Sequence, residues 1–149
     1  MAGRPKKKAA GSKKVKPSGP VPCAVLWGLD PSSEKGAAVR AVLREMGVIA
    51  RTVARERLGD PAGAFARMPG FRPAVVPYAG SEPAVGEFVL LCGLTDAQVN
   101  EFLARSREAG CVVGPKALLT KTNRAWPLVR LMDAVAAEHA QMAGGDGAS

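Results

Sequence analysis

The sequence predicts one α/β (α+β) domain of the ferredoxin-like kind, a β-α-β-β-α-β sandwich with an added C-terminal helix. Three observations predict it. Two continuous apolar runs, Cys23–Trp27 and Phe88–Cys92, each end in a Gly-Leu turn that leads into an amphipathic helix. A strand-like stretch follows each helix. The length, 149 residues, leaves room for a single core.

Taken in order, Cys23-Ala24-Val25-Leu26-Trp27 is a buried strand, closed by Gly28-Leu29-Asp30-Pro31. Asp30 suits an N-cap, and Pro31 suits the first helical position, where a missing N–H costs nothing. Val39, Val42, Leu43 and Met46 then recur at helical spacing until Gly47, a C′ stop. Val48 to Val53 reads as a strand. Asp60-Pro61 starts a short helix that Pro69-Gly70 must end. Residues 71–86 hold Pro73, Pro77 and Pro83 and read as loop, with room for a short edge strand at Ala74–Val76.

The pattern then returns. Phe88-Val89-Leu90-Leu91-Cys92 is the second apolar strand, and Thr95-Asp96-Ala97-Gln98 is a capping box, in which hydroxyl and amide satisfy orphan N–H groups reciprocally. Val99, Phe102 and Leu103 form the stripe of the next helix, and Gly110 ends it. Cys111-Val112-Val113 reads as the start of a strand and Ala117-Leu118-Leu119 as a last strand-like piece. The final helix is expected from Pro127, with Leu128, Leu131, Met132, Val135 and His139 on one face.

VLWGLD…VLREMGVIA and LLCGLT…ARSREAGCVV thus repeat one scheme of strand, Gly-Leu turn, capped helix, Arg-Glu-x-Gly and strand. A duplicated β-α-β unit predicts the ferredoxin-like sandwich, with strands 23–27 and 88–92 paired at its centre. The plain alternative is chance likeness between two generic units. The rival fold, a doubly wound parallel sheet, needs more strands than are visible.

The charge is lopsided. The net charge is +8, and residues 1–20 hold Arg4, Lys6, Lys7, Lys8, Lys13, Lys14 and Lys16 with no acid; the rest carries 14 basic and 13 acidic side chains. Such a tail cannot bury enough apolar area to offset its ordering, so residues 1–20 are expected to be disordered. Residues 21–143 are expected to form the domain and 144–149 a disordered end. Seven cations support salt-sensitive contact with DNA or RNA, and equally a solubilising extension. Val21 to Leu29 is too short for a membrane span and lacks a cleavage site, so a cytoplasmic protein without membrane contact is expected.

Three scattered cysteines and one histidine, His139, supply no four-ligand zinc set. Cys92, ending a central strand before a helix N-terminus, sits where a thiolate is favoured, although core packing is the plainer role. No nucleophile–base pair or phosphate-cradling glycine motif is present, which argues against an enzyme. If the two apolar strands lay parallel, both helix N-termini would emerge side by side as an anion site; the alternative is two self-capped helices. Between Glu108 and Asp133 there is no acid, while Lys116, Lys121, Arg124 and Arg130 are cationic. Lys116, Thr120, Lys121, Asn123 and Arg124 are therefore the candidate site for an anionic small molecule, against the alternative of a solvated, self-satisfied loop. The leading expectation is a binding or regulatory module, homodimeric through its sheet or last helix. A nucleic-acid-associated protein is the alternative. The residues leave the cofactor unknown.

The stretch KALLTKTNRAWPLVRLMDAVAAEH resembles the C-terminal signature of a small prokaryotic family known only as a domain of unknown function. That signature reads Lys-Ala-x-x-Thr-x-x-Asn-x-x-Trp, followed by a helix ending in Glu-His or Glu-Arg. Lys116, Ala117, Thr120, Asn123 and Trp126 match it, and the Gly-Leu turn after FVLLC is similar to the family's. Pro127 departs from the small hydroxyl residue expected there. The likeness covers roughly residues 86–140 and implies a family without an activity, so it transfers no catalytic role.

Overall fold

Two β-α-β units meet at one antiparallel strand pair. The computed structural model describes residues 20–148, with side chains as far as residue 140. The tail residues Arg4 to Lys16 and their expected nucleic-acid contacts lie outside the described residues. In chain order the elements are β1 (Cys23–Trp27), α1 (Glu34–Glu45), β2 (Ile49–Thr52), a 3-10 turn (Arg55–Arg57) and α2 (Ala62–Phe65), then β3 (Phe88–Cys92), α3 (Asp96–Glu108), β4 (Lys116–Leu118) and α4 (Leu128–Ala148). α4 is continuous over part of the stretch 144–149 for which disorder is expected.

The sheet order is β2-β1-β3-β4. β2 is parallel to β1, β4 is parallel to β3, and β1 and β3 are antiparallel. The expected central pairing holds: Val25 lies opposite Leu90, and Leu26 opposite Val89. The ferredoxin-like interleaving does not. In that fold each unit is split by a strand of the other, whereas here both strands of each unit are neighbours. The helical crossovers, Gly28–Val48 and Gly93–Pro115, are long enough to return each chain beside its own first strand, as a parallel pair requires.

Alternation along the two central strands sends side chains to opposite faces, and both faces are covered. Ala24, Leu26, Val89 and Leu91 pack with Val39, Leu43 and Phe102 of α1 and α3. Cys23, Val25, Phe88, Leu90 and Cys92 pack with Leu58, Ala62 and the α4 stripe Leu128, Leu131, Met132 and Val135. This explains why both strands read as unbroken apolar runs. Burying each such Leu or Phe contributes about 1.5–3 kcal/mol.

Local boundaries differ from expectation in four places. α1 is capped by Ser33, whose hydroxyl accepts from Gly36 N–H at 3.0 Å. Asp30 instead closes a tight turn, its carboxylate accepting from Ser32 N–H and Oγ–H at 2.8 and 2.6 Å. Cys111–Val113 forms no strand; Cys111 and Val113 are buried against the α1–α3 layer, and pairing begins at Lys116. Ala74–Val76 is not a strand either, and Val75 and Val76 are exposed. His139 is exposed rather than continuing the buried stripe of α4.

Gly28 and Gly93 repeat more than a sequence pattern. Both have positive φ, 73° and 69°, which an L side chain adopts only at a cost. A Cβ on Gly28 would overlap the carbonyl of Gly86, just before β3, and one on Gly93 would press on Pro20 and Pro22, just before β1. Each turn therefore packs on the entrance of the other unit's first strand.

Candidate functional site

The antiparallel centre decides the first candidate. Because Cys23 pairs with Cys92 and Trp27 with Phe88, the turns leading to α1 and α3 leave the sheet at opposite ends. The helix N-termini are not side by side, and the paired anion site that parallel strands would create is absent. Each end is also occupied by its own cap. Thr95 accepts from Gln98 N–H at 3.1 Å while Gln98 Oε1 accepts from Thr95 N–H at 2.8 Å, the predicted capping box.

The segment Lys116–Arg124 is divided by the sheet. Lys116, opposite Val89, lies on the α3 side beside Val99 and Leu103. Its ammonium donates to Val113 O at 2.6 Å, and burial holds its pKa below the usual lysine value. Thr120 and Asn123 satisfy one another: Asn123 Oδ1 accepts from Thr120 N–H at 2.9 Å, and Thr120 Oγ1 accepts from Asn123 N–H at 3.2 Å. Asn123 Nδ2 donates to Leu118 O at 3.0 Å, so this nearly buried amide ties the end of β4 to the turn before α4. Lys121 is exposed. Arg124 lies over the Phe71 ring, 5.7 Å from its centre, and Arg130 over Trp126 at 4.3 Å.

Arg124 leads to a cavity that no sequence pattern announces. Backbone bonds fasten the segment before α4 to the start of α2: Gly63 N–H donates to Arg124 O at 2.8 Å, Ala62 N–H to Trp126 O at 2.9 Å, and Leu128 N–H to Asp60 O at 2.9 Å. A Cβ on Gly63 would press on Phe71 and Arg124 O, so the approach depends on glycine. Between this seam and β2 opens a cavity of about 470 Å³, lined by Arg51, Arg57, Arg67, Asp60, Phe65 and Phe71 among others. That is an ordinary size for a small-ligand site.

Its charge is one-sided. Asp60, the single acid in the lining, is buried and already committed: its carboxylate is ion-paired with Arg57 Nε at 3.0 Å and accepts from Ala74 N–H at 2.8 Å. Arg51 and Arg67 have no carboxylate partner among the described residues, and Arg51 Nε is buried with no hydrogen-bond partner there. Arg51 stands opposite Val25 on β2 and so points to the α2–α4 face. Arg67 ends α2 with φ 57° and is the one non-glycine residue with positive φ among those described. Glycine is the usual occupant of such a C′ position, so the chain keeps an arginine there at a cost on the order of 1–2 kcal/mol.

Beneath this wall lies Cys23. Its thiol is brought down to about 7 by the adjoining Cys92 thiol, against the opposing effect of burial, with Arg51 and Arg67 adding positive charge. Cys92, expected from its helix-end position to favour the thiolate, is instead pushed up by the adjoining Cys23 and by burial. Neither the cavity nor the cysteine pair has a linear motif. Arg51, Arg57 and Arg67 are spaced like surface residues in sequence; only the packing of α2 beside β2 collects them.

Among the described residues no three His, Cys, Asp or Glu side chains gather as a metal site, and no described helix is long and apolar enough to cross a membrane. Residues 87–142 match the sequence model of a family described as a domain of unknown function (DUF3783). The match spans β3 through most of α4, bears out the likeness read from the sequence, and leaves out every arginine that lines the cavity. No curated protein matches the chain, and no solved structure does.

Proposed function

We propose that this protein is a small binding module that takes up an anionic small molecule in the cavity between β2 and α2. One observation carries the reading: Arg51 and Arg67 line a cavity whose only acid is already held by Arg57. The half-buried Arg51, whose Nε has no partner among the described residues, is costly without a counter-charge, and a carboxylate or phosphate would relieve it through charge-assisted bonds that the exposed Arg67 could share. Phe65 and Phe71 suit a ligand with an apolar or planar body. Of the sequence-predicted set, Arg124 would take part through Phe71, the lining residue whose ring it covers. Thr120 and Asn123 would act by shaping the turn that carries it, while Lys116 and Lys121 would contribute little.

Isothermal titration with inorganic phosphate, a nucleoside monophosphate and an aromatic carboxylate tests the reading. Arg51→Gln and Arg67→Ala should each weaken the best ligand about tenfold or more, since a charge-assisted bond is worth about 1.5–3 kcal/mol. Lys116→Ala should bind as the parent does. Equal losses in all three variants would return the site to the loop, and no binding by any anion would remove it.

The second reading, a nucleic-acid-associated protein, is supported by the seven cations within residues 1–20. Salt-titrated DNA binding by the whole chain and by a chain starting at Val21 separates the two: equal affinity excludes the tail. We also read the two units as copies of one ancestral β-α-β segment, supported by their shared connectivity and reciprocal glycine turns. Homodimerisation through a sheet edge fits half-exposed Ile49 and Leu118 on the two edge strands. Light scattering tests it, and a monomer mass at high concentration would end it.

A further inference from the structure

Cys23 and Cys92 are direct partners across the central strand pair. The kind of pair is set by the outer ladders. Val53 N–H donates to Leu26 O, Val89 N–H to Pro115 O and Leu119 N–H to Leu91 O, so Leu26, Val89 and Leu91 turn their backbone groups away from the centre. The alternate residues, Cys23 and Cys92 included, therefore bond across it. Such a pair holds its Cα atoms about 5.5 Å apart, inside the roughly 4.4–6.8 Å that disulfides span. Both thiols are free and fully buried, Cys23 Sγ donating to Phe65 O at 4.0 Å and Cys92 Sγ to Leu90 O at 3.9 Å. Cys111 sits in the layer on the opposite face of the sheet and cannot compete for either.

Arg51 connects the pair to the cavity. It lines that space, its charge favours the Cys23 thiolate, and its buried Nε has no hydrogen-bond partner among the described residues. The charged and titratable groups facing Cys23 are Cys92 from β3, Arg51 from β2 and Arg67 from the end of α2. All of them favour its thiolate, the nucleophilic form.

We propose that Cys23 and Cys92 are an oxidation site at which a hydroperoxide closes a reversible intramolecular disulfide, with Cys23 attacking first and Cys92 resolving. The Cys23 thiolate attacks the near peroxide oxygen, the O–O bond breaks, and the leaving hydroxide or alkoxide takes up a proton. Cys23 is then a sulfenic acid. Cys92 sulfur attacks Cys23 Sγ, the S–O bond breaks, and the Cys92 proton leaves with the hydroxyl as water. Two thiols lose two electrons in all, and the hydroperoxide is reduced to water or an alcohol plus water. A directly bonded strand pair keeps its Cβ atoms farther apart than the about 3.8 Å a relaxed disulfide prefers, so the bridge is strained and readily reduced. This site rests on strand register and stands whether or not the cavity binds an anion.

The test treats the whole chain with hydrogen peroxide and reads intact mass and peptide maps. The expected product has lost two hydrogens, joins the Cys23 peptide to the Cys92 peptide, and returns to the dithiol with dithiothreitol. Cys111→Ser should behave as the parent. Cys92→Ala should stop at a sulfenic acid on Cys23, trapped by dimedone. In Arg51→Gln the pH midpoint of thiol loss should move up from about 7. Bridging through Cys111, intermolecular dimers as the main product, or thiols that react only after denaturation would each overturn the proposal. If Cys92→Ala does not fold, the cross-link in the parent protein still decides.

Discussion

The two β-α-β units share a connectivity but differ in the chain that extends from each. Each has a buried five-residue strand, a glycine turn, a helix on the same face of the sheet, and a short parallel edge strand. After β2 the chain makes a long excursion, residues 53–86, that folds the 3-10 turn and α2 over the opposite face and encloses the arginine cavity. After β4 it makes one turn, pinned by Asn123, and then α4. The helix starts and turns of both units satisfy themselves through their own caps. The cavity forms where the excursion without a counterpart, carrying Arg57 and Arg67, packs beside Arg51 of the repeated strand β2. A repeated framework here supplies the strand register, and the chain added to it closes a space against one of its edges.

Substitutions at corresponding places sharpen or break that comparison. Leu26→Ala and Leu91→Ala remove side chains buried on the same face of β1 and β3. Each should cost about 2–5 kcal/mol, in a single denaturant transition. Two transitions in either variant would mean that the units are independent rather than halves of one core.

The turn glycines come next. Gly28→Ala adds overlap with the Gly86 carbonyl to its strained φ, whereas Gly93→Ala meets Pro20 O at 3.0 Å. Losses of about 2–4 and about 1–2 kcal/mol are expected, the larger at Gly28. The reverse order would break the reading of how the units interlock.

The helix starts should differ less. Thr95→Ala removes the hydroxyl of a reciprocal box and should cost about 1 kcal/mol, with Ser33→Ala similar or smaller because Ser33 caps alone. Urea unfolding midpoints measure both. An acid titration adds an asymmetry, since Asp30 occupies the turn position that Thr95 fills in the second unit. Its carboxyl is held below the ordinary carboxylate range by the hydrogen bonds from Ser32. The stabilisation is therefore complete above the unfolded carboxyl value and fades as pH falls through the lower folded one. Asp30→Asn should flatten the acid limb slightly, and Thr95→Ser should leave it unchanged. The smallest effect is expected at the exposed Arg105–Glu101 pair, where Glu101→Gln should cost no more than about 0.5 kcal/mol by thermal melting.

Legibility divides along the same line. The capping box, the α4 stripe and the glycine stops at Gly47 and Gly110 arise from local chemistry, and each stands where periodicity puts it. Asp30 reads as a cap because its type allows it, yet Ser33 lies three residues on, equally able, and Gly36 fits there against Asp30 O. The stretch Cys111–Val113 has strand composition, but burial against a helix layer demands the same residues as pairing does. The candidate loop is half legible: Thr120 and Asn123 signal a turn, and nothing in their spacing shows that Lys116 and Arg124 fall on opposite faces.

By itself the sequence determined the elements that nearest neighbours control, because capping, turn strain and apolar periodicity act within a few residues along the chain. It also determined that two such units exist and that their first strands belong at the centre, since only a strand covered on both faces can be apolar throughout. The tertiary structure alone decided which edge strand joins which unit and that the central pair runs antiparallel. It alone placed Cys23 against Cys92 and brought Arg51, Arg57 and Arg67 around one space. Those depend on register and on contacts between residues far apart in the chain, where the free energy belongs to the assembled core and leaves no local pattern to read.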